Sequence, residues 1–291
     1  MTAPQPGGDG GRNHSELKVG LPFRVVATDL DGTLLRSDLS VSRRTQRALG
    51  AVAALGVRHV AVTGRQIGDC RELLGRLGYR GLAVCGQGTQ LFDLDTDQLL
   101  WSAALDVAEA QNLVARVRAD VAGVGVGVAS AGRHGRTLVE EGFYRTSTVY
   151  CEVVEPDQLW TSGIEKIYLR HRDIPTAVLA ARITGICGDA ARVTYSQSTV
   201  VEILPAGVSK GAALERAADV LAFSAADTIA FGDMPNDIPM LVWAGHSVAM
   251  DNADPCVHEV ADEIAPSNDN DGVAAVLERT FALDTRALSR P

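Results

Sequence analysis

At 291 residues and 46% hydrophobic content, the chain has enough apolar material to bury a sizeable core, and its length suits one large domain or two modest ones. A formal net charge of -9 argues against nonspecific nucleic-acid binding, which needs a basic face to neutralise phosphates, so any anionic ligand must be held by local chemistry. Five cysteines, odd in number, widely spaced and free of any CxxC, suggest neither a disulfide framework nor a zinc cluster and fit a reducing cytoplasm.

Residues 1–21 are rich in Gly, Pro and polar side chains and lack the basic and apolar regions of a secretion signal, so a disordered tail is expected. No run approaches the ~18 apolar residues that a membrane-spanning helix requires. Phe23 to Thr28 reads as an apolar strand and runs directly into Asp29-Leu30-Asp31-Gly32-Thr33-Leu34. Ser42 to Leu55 has apolar or small residues at helical spacing, Gly56 supplies a stop, and Val57 to Thr63 reads as the next strand, completing a βαβ unit. Arg65 to Leu77 is expected as a helix ended by Gly78, with Leu82 to Cys85 as a short third strand.

Beyond Thr89 the texture changes. A hairpin is expected at Gln90 to Trp101, a helix near Ala108 to Val121, strands at Ile164 to Arg170 and Arg192 to Ser196, and a helix over Thr176 to Ile183. Gly123, Gly125 and Gly127 do not open a helix as a dinucleotide-binding turn must, and read instead as a strand with one bare face or a loose turn. From Val200 the α/β rhythm is expected to resume, with helices at Ala212 to Leu221 and Ile238 to Trp243 and strands at Asp227 to Phe231 and Ser247 to Met250. The expected fold is therefore a Rossmann-like parallel α/β core, residues 22–88 and 198–277, interrupted by an α+β insert over 89–197 and followed by a tail at 278–291.

Chemistry in such sheets sits at the carboxyl ends of strands. Asp29 and Asp31, two residues apart on extended backbone, project to one side, and Gly32 lets the chain turn just beyond them. Alone, the pair is compatible with a simple Asp-Gly turn or with several acid-base chemistries. Three further segments fall at core strand ends: Thr63-Gly64-Arg65, Ser209-Lys210-Gly211, and Gly232-Asp233-Met234-Pro235-Asn236-Asp237.

On these segments the chain resembles the haloacid dehalogenase superfamily, specifically its Cof-type, sugar-phosphatase-like branch with a large α+β cap. The resemblance runs from Arg24 to Val276 and includes VVEILPAGVSKGAAL at Val200 to Leu214 and GDMPNDIPML at Gly232 to Leu241. Ser247 to Ala253 and Ser267 to Ala274 add to it. It implies a cytoplasmic phosphatase of small phosphorylated metabolites, with no nucleic-acid or membrane partner. Asp29 would be the nucleophile and Asp31 the proton donor and acceptor. Mg²⁺ would be held by Asp29, the Asp31 carbonyl and Asp233, with Asp237 supporting Lys210 or the metal's hydration. Leu30, Thr63, Gly64, Lys210 and Asn236 would contact the phosphoryl group, and Arg65 the substrate.

The resemblance also admits a phosphomutase using the same phospho-aspartate, or a catalytically silent phosphate-binding regulator. Two departures from the family pattern stand out: Gln87-Gly88-Thr89 where Asn-Gly-Ala is common at the junction into the cap, and Asp251 where glycine is usual. The histidines show no ligand spacing, and Arg133, His134 and Arg136 read as a solvated basic loop or an anion contact.

Overall fold

The computed structural model describes residues 20–143, 151–160, 163–197 and 200–284, so most of both expected tails, 1–19 and 285–291, lies outside it. In chain order the first elements are β1 (Val25–Thr28), α1 (Arg43–Ala54), β2 (Arg58–Val62), α2 (Ile67–Arg76), β3 (Leu82–Cys85), β4 (Gln90–Asp93) and β5 (Gln98–Ser102). Next come α3 (Val107–Asp120), β6 (Gly125–Ser130), β7 (Thr137–Val139), β8 (Glu152–Val153), β9 (Ile164–Arg170), α4 (Thr176–Cys187), β10 (Ala191–Gln197) and β11 (Val200–Pro205). The chain then forms α5 (Lys210–Leu221), β12 (Thr228–Gly232), α6 (Ile238–Trp243), β13 (His246–Met250), α7 (Pro255–His258), β14 (Glu263–Ala265) and α8 (Gly272–Thr280).

These elements build an α/β fold on two sheets, one of eight strands in the order β14-β13-β12-β1-β2-β3-β4-β5 and one of six in the order β10-β11-β9-β6-β7-β8. The eight-stranded sheet is parallel from β14 to β3. Its strands are apolar without alternation because both faces are covered. One face packs Val26, Phe231 and Val248 with Ala48 and Val52 of α1, Leu74 of α2 and Leu277 of α8. The other packs Val25, Val60 and Ala230 with Leu214 of α5, Met240 of α6 and Val257 of α7. β1 lies between β2 and β12, where the strand order reverses, and that switch point is where an open parallel sheet leaves a crevice at its carboxyl edge.

The six-stranded sheet has its own core, in which Leu113, Val114 and Val117 of α3 and Leu179 and Ile183 of α4 cover Val126, Val128, Ile167, Leu169, Val201 and Ile203. Period-two alternation then turns Lys166, Tyr168 and Glu202 to the opposite face. Gly125 and Gly127 lie in β6, and a Cβ on Gly127 would come within 2.8 Å of the Val139 side chain, so the bare-faced strand is the conformation adopted.

Two strand memberships differ from expectation. The hairpin β4-β5, assigned to the insert, pairs antiparallel onto β3 and extends the parallel sheet, the chain reversing through Gly86, Gln87 and Gly88, all at positive φ. β11, assigned to the resumed core, pairs with β9 and β10 in the six-stranded sheet. An apolar run looks the same whichever sheet receives it, so periodicity marks a strand but not its neighbours. The core also ends later than expected, since α8 continues to Thr280 and Phe281 is buried. Among the described residues no helix is long and apolar enough to cross a membrane.

Candidate active site

The crevice at the switch point gathers the carboxyl ends of β1, β2 and β12. Register sets Thr28 beside Ala61 and Phe231, so Asp29, Thr63 and Asp233 all emerge within one residue of the same level. Asp29 is buried, and its N–H donates to the Phe231 carbonyl at 3.0 Å. Leu30 is wholly buried, and its carbonyl receives the N–H groups of Thr33 and Leu35, closing a tight loop that projects Asp31 outward. Gly32 has φ +80°, and a Cβ there would fall 2.3 Å from Asp233 Oδ2, so both conformation and close approach require glycine. Thr33 Oγ1 donates to Asp233 Oδ1 at 2.8 Å.

Lys210 opens α5 behind its N-cap Ser209, and that placement delivers a buried ammonium to the acids. Its Nζ lies 2.6 Å from Asp29 Oδ1 and 2.6 Å from Asp237 Oδ1. The other Asp237 oxygen receives the N–H groups of Asp233 and Met234, which folds the β12-α6 loop around it. Asp29, Asp233 and Asp237 each offer a carboxylate oxygen within 4.8 Å of the others. Burial raises the Asp29 carboxyl well above its ordinary range, with Lys210 pulling against it and Asp237, Asp233 and Asp31 adding to it. Burial, with Asp237 next, pushes Asp233 up to about 7. Lys210 is itself drawn down by burial, yet Asp237 and Asp29 outweigh that and hold it charged. Carboxylates crowded until protons become favourable, all hard oxygen donors, are a set that fits a divalent cation.

Of the residues expected at the phosphoryl position, Thr63 is fully buried and its Oγ1 accepts from the Arg65 N–H at 3.1 Å. Gly64 was expected at a helix start, but α2 begins at Ile67 behind Gln66, so Gly64 lies in a turn whose carbonyl accepts from Lys166 Nζ at 2.8 Å. Arg65, expected to meet substrate, forms a two-pronged pair with Asp31, Nε to Oδ2 at 2.7 Å and a terminal nitrogen to Oδ1 at 2.5 Å. Asn236 donates its amide to Gln87 Oε1 at 2.7 Å. Asp251 is exposed in the turn after β13, at a φ outside the left-handed region, so no glycine is needed there. Arg133 pairs with Asp97 and Arg136 with Glu152, both away from the acidic cluster.

Five polar residues near the site were not singled out as site residues from sequence, or were noted only as departures. Gln87 donates to Glu202 Oε2, Glu202 Oε1 receives Lys166 Nζ at 2.7 Å, and Thr89 Oγ1 donates to Glu165 Oε1 at 2.6 Å. A signal existed: Glu165-Lys166 and Glu202 are charges inside largely apolar strands, IEKIYLR and VVEILP, the first of which also ends in Arg170.

A buried ammonium between two carboxylates, beside a third, at a parallel-sheet switch point is a phosphoryl-transfer arrangement, and comparison with known proteins decides the family. The family model for haloacid dehalogenase-like hydrolases matches residues 26–277. The chain belongs to that family. A putative phosphatase of Haemophilus influenzae is 29% identical over 280 residues, covering 91% of this chain and 99% of that one. An HMP-PP phosphatase of Yersinia pestis is 30% identical over 246 residues, covering 80% and 85%. Among solved structures, SMU.1108c of Streptococcus mutans superposes with a TM-score of 0.80 at 23% identity, covering 90% and 100%. The subclass IIB sugar phosphatase BT4131 gives 0.75 at 18% identity, covering 89% and 100%. This haloacid dehalogenase-like hydrolase is accordingly a phosphatase with the family's fold.

Proposed function

We propose that the protein is a Mg²⁺-dependent phosphatase of small phosphorylated metabolites that works through a phospho-aspartate at Asp29. The observation that carries this reading is the Lys210 ammonium 2.6 Å from Asp29, with Asp237 on its other side and Asp233 adjacent. Lys210 aims one Asp29 oxygen and leaves the other to attack phosphorus. The P–O ester bond breaks as Asp31 gives its proton to the leaving oxygen; water then attacks the acyl phosphate while Asp31 takes a proton back. For this Asp31 must leave Arg65, and an arriving phosphate gives the guanidinium another anion to hold. Thr63 and the Gly64 N–H bind phosphoryl oxygens in this reading. Mg²⁺, held by Asp29, Asp233 and the Asp31 carbonyl with Asp237 supporting, would offset the repulsion between carboxylate and phosphate dianion.

The unit built on the six-stranded sheet is read as a cap that closes over the crevice and carries substrate choice. Free cysteines, three of them buried, accord with a cytoplasmic setting. The test is a phosphate-release screen over phosphorylated sugars, nucleotides and cofactor precursors, with MgCl₂ or EDTA, beside Asp29→Asn. Turnover that needs the metal and Asp29 supports the reading; no turnover, or activity retained by the variant, defeats it. Phosphate release without a bisphosphate activator separates a phosphatase from a phosphomutase.

A further inference from the structure

A chain of four buried polar side chains crosses from the six-stranded sheet into the candidate site. Lys166 on β9 donates to Glu202 on β11 at 2.7 Å, Gln87 in the β3-β4 turn donates to the other Glu202 oxygen, and Asn236 in the β12-α6 loop donates to Gln87 at 2.7 Å. Exposure is 1% at Lys166, 3% at Glu202, 1% at Gln87 and 5% at Asn236. Lys166 also donates to the Gly64 carbonyl, and a Cβ on Gly64 would strike the Gln87 amide at 2.5 Å, so the chain is packed against the Thr63-Gly64 turn.

Its polarity follows from what each group can offer. An ammonium has only protons to give and a carboxylate only lone pairs. Glu202 between Lys166 and Gln87 must accept from both, so Gln87 turns its NH₂ to Glu202 and its carbonyl to Asn236. Asn236 must then turn its NH₂ to Gln87, and its carbonyl oxygen is left over. That oxygen is buried and has no hydrogen-bond partner among the described residues. A buried acceptor without a partner is costly; a cation can complete a carbonyl oxygen, but a substrate group that completes it must bring a proton. A phosphoryl dianion has none; a hydroxyl or N–H on the leaving group does.

We propose that Lys166, Glu202 and Gln87 are positioning residues that fix Asn236 as a hydrogen-bond acceptor, selecting phosphate esters whose leaving group carries an O–H or N–H donor. The proposal rests on the phosphatase reading above. It explains why a longer amide stands at Gln87: the side chain spans Glu202 and Asn236, which do not bond each other directly.

The test is a double-mutant cycle between Glu202→Gln and Asn236→Asp, in the otherwise native chain and in a Gln87→Met background. The paired substitution reverses the bonds through Gln87, with an amide at 202 donating to it and a carboxylate at 236 accepting from it, and again leaves an acceptor oxygen. Each single change is expected to lower kcat/KM for glycerol phosphate about tenfold or more and to lower Tm, and the pair to recover much of both; the coupling disappears in the Gln87→Met background. Coupling within about twofold, or coupling that survives Gln87→Met, overturns the relay. If the wild type hydrolyses no phosphate ester while the Tm coupling is intact, the phosphatase reading fails and the hydrogen-bond chain stands. Single variants that fail to fold while the pair folds support the chain. If the pair fails too, Gln87→Asn decides: one methylene too short for the span, it is expected to lower kcat/KM for glycerol phosphate and spare para-nitrophenyl phosphate, and equal loss on both overturns the proposal.

Discussion

Without a cation, the acids of the site make the protein less stable as pH rises. Burial and Asp237 lift Asp233 from 3.8 to about 7, so the folded state holds a proton there that the unfolded chain has released. The stability this proton contributes is fully present below about pH 4 and is lost as pH rises through about 7. A displacement of about three units corresponds to about 4 kcal/mol as a ceiling, on the order of 10 °C in Tm. Asp29 moves the same way, burial again first among the causes. Carboxyls with lowered values, Asp38, Asp227, Asp262 and Asp269, act in the opposite sense only below the ordinary range, but His59, lowered by burial from 6.5 to about 4, adds stability as pH rises to about 6.5, so the Asp233 effect is read as the difference between wild type and Asp233→Asn, in which His59 cancels. A divalent cation replaces the proton, so its apparent affinity should improve about tenfold per pH unit up to about 7 and then level off. Thermal unfolding from about pH 5 to about pH 8, in EDTA and in millimolar MgCl₂, reads both effects. The wild-type Tm in EDTA should fall relative to that of Asp233→Asn across the window, and the MgCl₂ shift should grow with pH in the wild type but much less in the variant. A wild-type Tm in EDTA that does not fall relative to that of Asp233→Asn as pH rises, or a MgCl₂ shift independent of pH, refutes the reasoning.

Asp29→Asn should lose at least about 10³-fold in kcat while its Tm in EDTA at alkaline pH is no lower than wild type, because one crowded carboxylate is gone; phosphate release and thermal unfolding check the opposite signs. Lys210→Met leaves Asp29 and Asp237 buried without their shared cation, and urea unfolding in EDTA should show a loss of about 3–5 kcal/mol. Arg65→Lys keeps the charge but not the two-pronged pair with Asp31, so steady-state kinetics should show kcat/KM reduced by about tenfold or more, and recovery to wild-type values would rule out a role for the fork geometry. Gly32→Ala puts a methyl 2.3 Å from Asp233 Oδ2 at φ +80° and should weaken Mg²⁺ binding by calorimetry and lower stability in urea unfolding, by about 1–2 kcal/mol from the backbone alone.

The central sheet was legible because its strands are short apolar runs bounded by turn residues, and the helices because they carry helical spacing and caps; Ser42 accepts from the Thr45 N–H at the start of α1, for example. What was illegible was allegiance. β4-β5 and β11 were found as strands but given to the wrong sheet, because an apolar run does not name its pairing partner, whether near in sequence, as Val84 with Leu91, or far, as Glu202 with Tyr168. β14, α7 and α8 were not assigned from sequence; the first two are three and four residues long, too short for periodicity to speak.

The site divides along the same line. Asp29, Thr63, Lys210, Asp233 and Asp237 were readable because each ends a strand or starts a helix of the parallel sheet, where chemistry in this architecture collects. Partner choice was not readable, and partner choice separates a residue's type from its role. Arg65 stands beside the Thr63-Gly64 turn as expected, yet its guanidinium is taken by Asp31; Asn236 stands in the expected loop, yet its N–H is taken by Gln87. Both contacts are made by side chains reaching across strands or loops, a geometry one sequence does not encode locally. The residues that redirect Asn236 are Lys166 and Glu202, whose charges interrupt apolar strands. Burying a pair of charges at 1% and 4% side-chain exposure costs more than an apolar pair would, and a sheet that only needed to fold has no use for them. Charges within an apolar strand are therefore the place in such a sequence where the demands of the site, rather than those of the core, have chosen the residue.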